Sequence, residues 1–304
     1  MDGGPNYLQQ FAFPLAADRF PIGVWLECAV DPQAVATDHG AGLDIYTALC
    51  ANQAELANAR NGGMRVLIQE EWLGRMPTDA VNAGYMVGDE WDMTRGPTAC
   101  LNGDWQDQIN RFPNDGRVKY ANFGKGVNFW ETNAEAACWV NSVDLPSTDE
   151  YWFSDNNVCG SSEGGGKPGV ITANNCHVAA NYGWNVQRVR NLVSPLGSKA
   201  TWSFVEDGCP FGDSGWPCIQ TQQIRPAVWH SLIAGAQGIV YFNHSFKAGA
   251  GTLKWWWDGV QRLNLSGMTN AASGSNRWLQ FGWYSELNPT VEVYHGPILA
   301  AQIA

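Results

Sequence analysis

Short apolar segments rich in β-branched and aromatic residues recur along the chain, and segments with helical spacing separate them. Each run is almost continuously apolar, which indicates strands covered on both faces, as in a parallel sheet flanked by helices. Eight such runs are predicted as strands: residues 20–26, 43–49, 64–70, 84–90, 118–123, 150–155, 200–206 and 238–244. Eight alternations of strand and helix predict an α/β fold, a parallel sheet closed into a (β/α)8 or TIM barrel.

A single barrel domain is expected to span the whole chain, residues 1–304. Barrels of this kind typically need about 250 residues, and no linker or internal repeat of fixed period divides the sequence. An open, doubly wound sheet is the competing fold, but no glycine-rich phosphate loop follows the first run. The glycine-rich stretch at 161–169 lacks a strand-to-helix context and is predicted to be a surface loop.

Charge and composition restrict the partners that this barrel can have. A net charge of −11 leaves little to neutralise phosphates, so no nucleic acid is expected as a partner. No run of about 18 apolar residues is present, so no membrane association is expected either. The first 20 residues lack a basic stretch followed by an apolar one, and no signal peptide is predicted. Sixteen tryptophans suit a protein that stacks rings on flat polar ligands such as sugars.

Eight cysteines, several of them in loop-like segments, favour disulfide bonds. Two pairs flank predicted loops, and the bonds Cys159–Cys176 and Cys209–Cys218 are therefore predicted. Free buried thiols are the alternative interpretation. The spacings match no zinc site and only five histidines are present, so neither a metal nor a cofactor is expected.

Two of the predicted strands end on acidic residues. Glu90 closes the fourth run and Glu206 closes the seventh. Because catalytic groups of such barrels lie at the carboxyl ends of the strands, the two carboxyl groups are expected to face each other across the barrel mouth. Burial beside Trp91 and Trp202 is expected to raise the pKa of the acid partner.

This placement of two glutamates, on strands four and seven, resembles the large clan of retaining glycoside hydrolases built on the (β/α)8 barrel. The resemblance implies that Glu90 is the general acid/base and Glu206 the nucleophile, with carboxyl groups about 5–5.5 Å apart. The clan usually has Asn before the acid/base, whereas this chain has Asp89, which accepts a hydrogen bond but lacks the donor of an amide. The segment "GAQGIVYFNHSF" around the eighth run also resembles minor tail proteins of phages that infect actinobacteria.

Further residues are expected to bind substrate at the same mouth. They are Asp89, Trp91, Asp155, Asn243, His244 and Trp256, the last in a run of three tryptophans that cannot all face one core. Other roles stay open: Glu70, Glu71 or Asp155 as a replacement for one catalytic acid, and Asp92 as a helix N-cap. A structural ion pair for Glu90, and a calcium-binding or loop-anchoring role for Glu206, are the non-catalytic alternatives.

The predicted function is that of a glycoside hydrolase-like enzyme, acting with retention on a polysaccharide of a bacterial cell wall or surface. The alternative is a non-catalytic glycan-binding or structural barrel of a phage tail tip, with other virion tail proteins or a second copy of the chain as partners. An extracellular or virion location is expected from the loop cysteines. A metal-dependent hydrolase is less favoured, because no His-x-His follows the first strand.

Overall fold

The computed structural model describes residues 2–242, apart from residues 5, 17–18, 41, 51, 208–209 and 212–214. The strands are β1 Ile22–Glu27, β2 Ile45–Leu49, β3 Arg65–Ile68, β4 Asn82–Asp89, β5 Val118–Phe123, β6 Leu145–Thr148, β7 Trp202–Glu206 and β8 Ile239–Phe242. They form a closed barrel in which each strand pairs in parallel with its sequence neighbours and β8 pairs with β1. The predicted (β/α)8 barrel is confirmed.

Helices follow the strands on the outside of the barrel. They are α1 Pro32–Gly40, α2 Gln53–Asn61, α3 Trp91–Thr94, α4 Pro97–Leu101, α5 Asp104–Asn110, α6 Asn133–Ser142, α7 Ala180–Leu192 and α8 Thr221–Ile233. Short 3-10 helices occupy Leu8–Gln10, Glu70–Trp72 and Gly164–Gly166, and a π-helical turn occupies Gly126–Trp130. Side chains from alternate strand positions fill the barrel interior, and the others pack beneath the helices.

The N-terminal segment covers the amino end of the barrel. Phe13 packs edge-on against Trp202, the first residue of β7, with ring centroids 6.3 Å apart. The Tyr7 hydroxyl donates to the carbonyl of Asp144, immediately before β6, at 2.6 Å. The carboxyl end of the strands, where enzymes with this barrel hold their active sites, lies opposite this cover.

The prediction for the sixth strand was wrong. β6 is Leu145–Thr148, and the aromatic run 150–155 lies in the long loop that follows it. β6 is only four residues long and contains Pro146, so its sequence has little strand character. The aromatic residues of the loop are buried for another reason: Trp152 packs against Phe129 and Trp184 beneath the loop.

Disulfide bonds tie several of the connecting loops. Cys28–Cys50 joins the segments that follow β1 and β2, and Cys100–Cys138 joins α4 to α6. The predicted bond Cys159–Cys176 is present and closes the loop between β6 and α7. The other predicted bond involves Cys209, which lies outside the described residues, so it stays a prediction. Within the described ranges, no helix is both long enough and apolar enough to cross a bilayer.

Candidate active site

Glu90 occupies the point where β4 turns into α3. Its backbone nitrogen donates to the carbonyl of Asn122 on β5 at 2.9 Å, and its own carbonyl accepts from Thr94 at 3.0 Å. Its φ of +47° places a residue other than glycine in the left-handed region, a conformation that costs roughly 1–3 kcal/mol and is concentrated at functional sites. The half-buried side chain is thus held at the carboxyl end of the barrel by its surroundings rather than by local preference.

The Glu90 carboxyl group hydrogen-bonds to that of Asp149, the residue immediately after β6. Ionised carboxylates only accept hydrogen bonds, so one proton must lie between the two groups. Burial raises the pKa of Glu90 and the charge of Asp92 adds to this effect, whereas the hydrogen bond from Asp149 lowers it. Burial and then the charge of Glu90 raise the pKa of Asp149 well above its usual range. The pair therefore retains a proton at pH values where exposed carboxyl groups are ionised.

Asp89 begins a hydrogen-bond chain across three strands. Asn122 Nδ2 donates to Asp89 Oδ1 at 3.1 Å, and Ser147 Oγ donates to Asn122 Oδ1 at 2.9 Å. The Tyr120 hydroxyl lies 2.7 Å from Ser147 Oγ. Asp89 is exposed to solvent, but the surrounding protein and then the Glu90 charge raise its pKa to about 7.

Glu206, the last residue of β7, is 1% exposed, and both of its carboxyl oxygens accept hydrogen bonds. Its Oε1 accepts from the Phe153 backbone nitrogen at 2.7 Å and from the Tyr182 hydroxyl at 2.5 Å, and its Oε2 accepts from Ser154 Oγ. Burial raises its pKa to about 7, while these donors oppose the rise. The carboxyl group is thus fixed by the loop after β6 and by α7.

The two predicted catalytic acids are therefore held by different partners. Glu90 meets Asp149, whereas Glu206 meets Ser154 and Tyr182, and no hydrogen bond joins Glu90 to Glu206 in the described part of the chain. The separation of the two carboxyl groups stays a prediction.

The other predicted site residues fall in three places. Asp155 is paired with Lys125 and belongs to the loop after β6. The Trp91 ring packs against Trp105 of α5 at 5.3 Å between centroids, and the Arg95 guanidinium lies over it. Asn243, His244 and Trp256 lie outside the described residues. Trp202 begins β7 and packs against Phe13, at the amino end of the barrel and away from Glu90; the expectation that it lies beside the acid partner was wrong.

Two of the alternative acids have structural partners. Glu70 pairs with Arg111 and accepts from Gln108, both on or next to α5 outside the barrel. Asp92 accepts from the backbone nitrogens of Gly124 and Val127, the latter at 2.8 Å. It thus caps the π-helical turn after β5 rather than only its own helix.

Sequence reasoning missed Asp149. The misplaced sixth strand hid it, because Asp149 precedes the run that was taken for the strand. The signal was present as two consecutive acids, Asp149 and Glu150, directly after a short run of Ser and Thr. Lys125, which lies near these acids after β5, was missed as well.

Comparisons with known proteins show the fold. No protein-family model and no curated protein matches this chain. A family 5 glycoside hydrolase from Bacteroides vulgatus ATCC 8482 is 14% identical over 90% of this chain and 72% of its own, with a TM-score of 0.52. A structure described as a glycoside hydrolase is 12% identical over 82% and 68% of the two chains, with a TM-score of 0.47. The HpcH/HpaI aldolase of Desulfitobacterium hafniense DCB-2 is 15% identical over 81% and 93%, with a TM-score of 0.39. The chain shares the barrel with a glycoside hydrolase, and this barrel hosts other chemistries too.

Proposed function

We propose that this protein is a glycoside hydrolase that cleaves a polysaccharide with retention, with Glu90 as general acid/base and Glu206 as nucleophile. The observation that carries the proposal is the state of Glu90. It is a protonatable carboxyl group with a raised pKa, in a strained backbone conformation, at the carboxyl end of β4. That end is where barrel enzymes hold their catalytic groups.

The proposed mechanism begins with protonation of the leaving oxygen. Glu90 donates this proton as the glycosidic bond breaks, which is the role that a raised pKa suits. Asp149 shares a proton with Glu90 in the resting state, so it is a positioning residue that sets how readily Glu90 gives its proton up. After departure of the leaving group, Glu90 accepts a proton from the attacking water.

Glu206 provides the second carboxyl group. Its three hydrogen-bond donors favour the ionised form that a nucleophile needs, and with a pKa of about 7 this form predominates above neutral pH. Only 1% of the residue is exposed. Attack on an anomeric carbon therefore requires the residues that hold it, Phe153 and Ser154 of the loop after β6, to shift when substrate binds.

The same burial of Glu206 favours a second candidate function. A carboxyl group whose oxygens accept from a loop and from α7 can act as an anchor for that loop. In that case the protein is a non-catalytic glycan-binding or structural barrel, such as a component of a phage tail tip. For either function the substrate or ligand proposed is a polysaccharide of a bacterial cell wall or surface.

Reducing-end release from a panel of wall polysaccharides tests the proposal. Wild type is expected to release sugar from at least one of them, and Glu206→Gln is expected to release none. Glu90→Gln should slow release by about 10²–10⁴-fold, and less with good leaving groups, which need little protonation. The matched control is Glu135→Gln, because Gln is also accepted at this capping-box position of α6. Equal release by wild type and Glu206→Gln would remove the nucleophile assignment, and no release by wild type would favour the binding protein.

A further inference from the structure

Three carboxyl groups lie together beneath the loop that follows β6. They belong to Glu150, Asp155 and Glu163, all at most 8% exposed, and one oxygen from each lies within 4.8 Å of the others. The Lys125 ammonium reaches this acidic cluster from the loop after β5. It donates to Asp155 at 2.5 Å and to the two oxygens of Glu163 at 2.9 and 2.8 Å.

Lys125 does not satisfy the acidic cluster. Three carboxyl groups face one ammonium, which donates to Asp155 and Glu163 and not to Glu150. Glu150 is 2% exposed, and neither of its side-chain oxygens has a hydrogen-bond partner. A buried carboxyl group without a partner is costly, because it has lost its hydration and gained nothing in return. A further cation could therefore be bound here, because it would offset negative charge and the Glu150 oxygens could serve as its ligands.

We propose that the acidic cluster of Glu150, Asp155 and Glu163 binds a calcium ion. Calcium takes six to eight oxygen ligands at about 2.3–2.6 Å, so two ligands of one ion lie no more than about 5 Å apart. The 4.8 Å spread of the three oxygens fits this limit. Oxygen-only ligands favour calcium over zinc, and the nearby Cys159 and Cys176 are bonded to each other and cannot serve as thiolates.

A calcium ion here would stabilise the loop that holds Glu206. Glu150 and Asp155 flank Phe153 and Ser154, whose backbone and side-chain donors contact the Glu206 carboxyl group. Glu163 lies between the two cysteines of the bond Cys159–Cys176, so the ion would link the disulfide-closed part of the loop to its first residues. This role follows from the loop geometry alone and holds whether the barrel is an enzyme or a binding protein.

Calcium titration of the chelator-stripped, full-length protein by isothermal calorimetry tests this site, with calcium chloride as the only ligand. One saturable site is expected at or below about 1 mM, the weak end of the range for calcium modules. The melting temperature should rise with calcium concentration. Glu150→Gln should weaken binding by about tenfold or more, since even outer-shell partners of a metal contribute that much.

A second variant keeps the test decisive if Glu150→Gln folds poorly. Lys125→Met removes the competing ammonium and should strengthen calcium binding, whereas the control Glu135→Gln should bind as wild type does. Absence of saturable binding by wild type would overturn the proposal. So would unchanged affinity in Glu150→Gln or loss of binding in Lys125→Met.

Discussion

The Glu206→Gln variant should change how stability depends on pH, whatever the protein's activity. Both donors to Oε1, the Phe153 nitrogen and the Tyr182 hydroxyl, can bond equally well to an amide oxygen. The amide nitrogen then faces Ser154 Oγ, which can accept instead of donating. The substitution therefore keeps the hydrogen bonds and removes only the ionisation.

The size of the effect follows from the pKa of Glu206. It is about 7 in the folded protein, against an ordinary value of 4.5 for a glutamate side chain. Because the folded-state pKa is raised, the unfolded chain loses its proton first as the pH increases, and the free energy of unfolding falls between pH 4.5 and 7. This difference between the folded and unfolded pKa corresponds to about 3 kcal/mol, of which roughly 2–3 kcal/mol is lost between pH 5 and pH 8.

Urea unfolding of both proteins at pH 5 and pH 8 measures this difference. The stability of Glu206→Gln relative to wild type should improve by about 2–3 kcal/mol from pH 5 to pH 8. Asp89, Asp92 and Glu131, whose pKa values are also raised, titrate in both proteins and cancel in the comparison. Parallel pH dependence in the two proteins would refute the reasoning, because Glu206 would then ionise without cost.

Two further predictions concern the proton pair and the loop. Asp149→Asn keeps a donor to Glu90 but removes the carboxyl group with the strongly raised pKa, so the pair no longer holds a proton above the pKa of Glu90 itself. In a plot of kcat/KM against pH, the decline on the alkaline side should then move to lower pH. If that decline stays where it is in wild type, the two groups do not share a proton. Replacing Cys159 and Cys176 together by Ser should reduce the free energy of unfolding by about 3 kcal/mol, because the bond closes a loop over a sequence separation of 17. Unchanged urea midpoints would show that the bond constrains the unfolded chain little.

The barrel could be predicted because its signals are local. Seven of the eight predicted strands overlap observed ones, and both Glu90 and Glu206 lie at or just past strand ends, as the runs of β-branched and aromatic residues indicated. Strand order in a (β/α)8 barrel then follows from the sequence itself. β6 was not predicted, because four residues that include a proline give too weak a strand pattern. The aromatic loop after it has the composition of a strand and was predicted as one.

The environment of each acid could not be predicted, because it depends on contacts between distant segments. Asp149 meets Glu90 only after β5 has placed β6 two strands away from β4. Glu206 is buried by the loop residues Phe153 and Ser154, more than 50 positions earlier in the chain. Lys125 reaches Glu163 from 38 positions away. Contacts between such distant segments produce no periodic pattern in the sequence from which they could be predicted.

The most direct test of the central claim is a search for a covalent glycosyl-enzyme on Glu206. In Glu90→Gln, aryl glycosides with good leaving groups still react at the nucleophile, but the water that releases the sugar lacks its base, so the intermediate should accumulate. Mass spectrometry of the quenched and digested protein is predicted to find a sugar on the peptide that contains Glu206, and none in Glu206→Gln. Turnover without any adduct, an adduct on another carboxyl group such as that of Asp149, or no reaction with any aryl glycoside by wild type or variant would contradict the account.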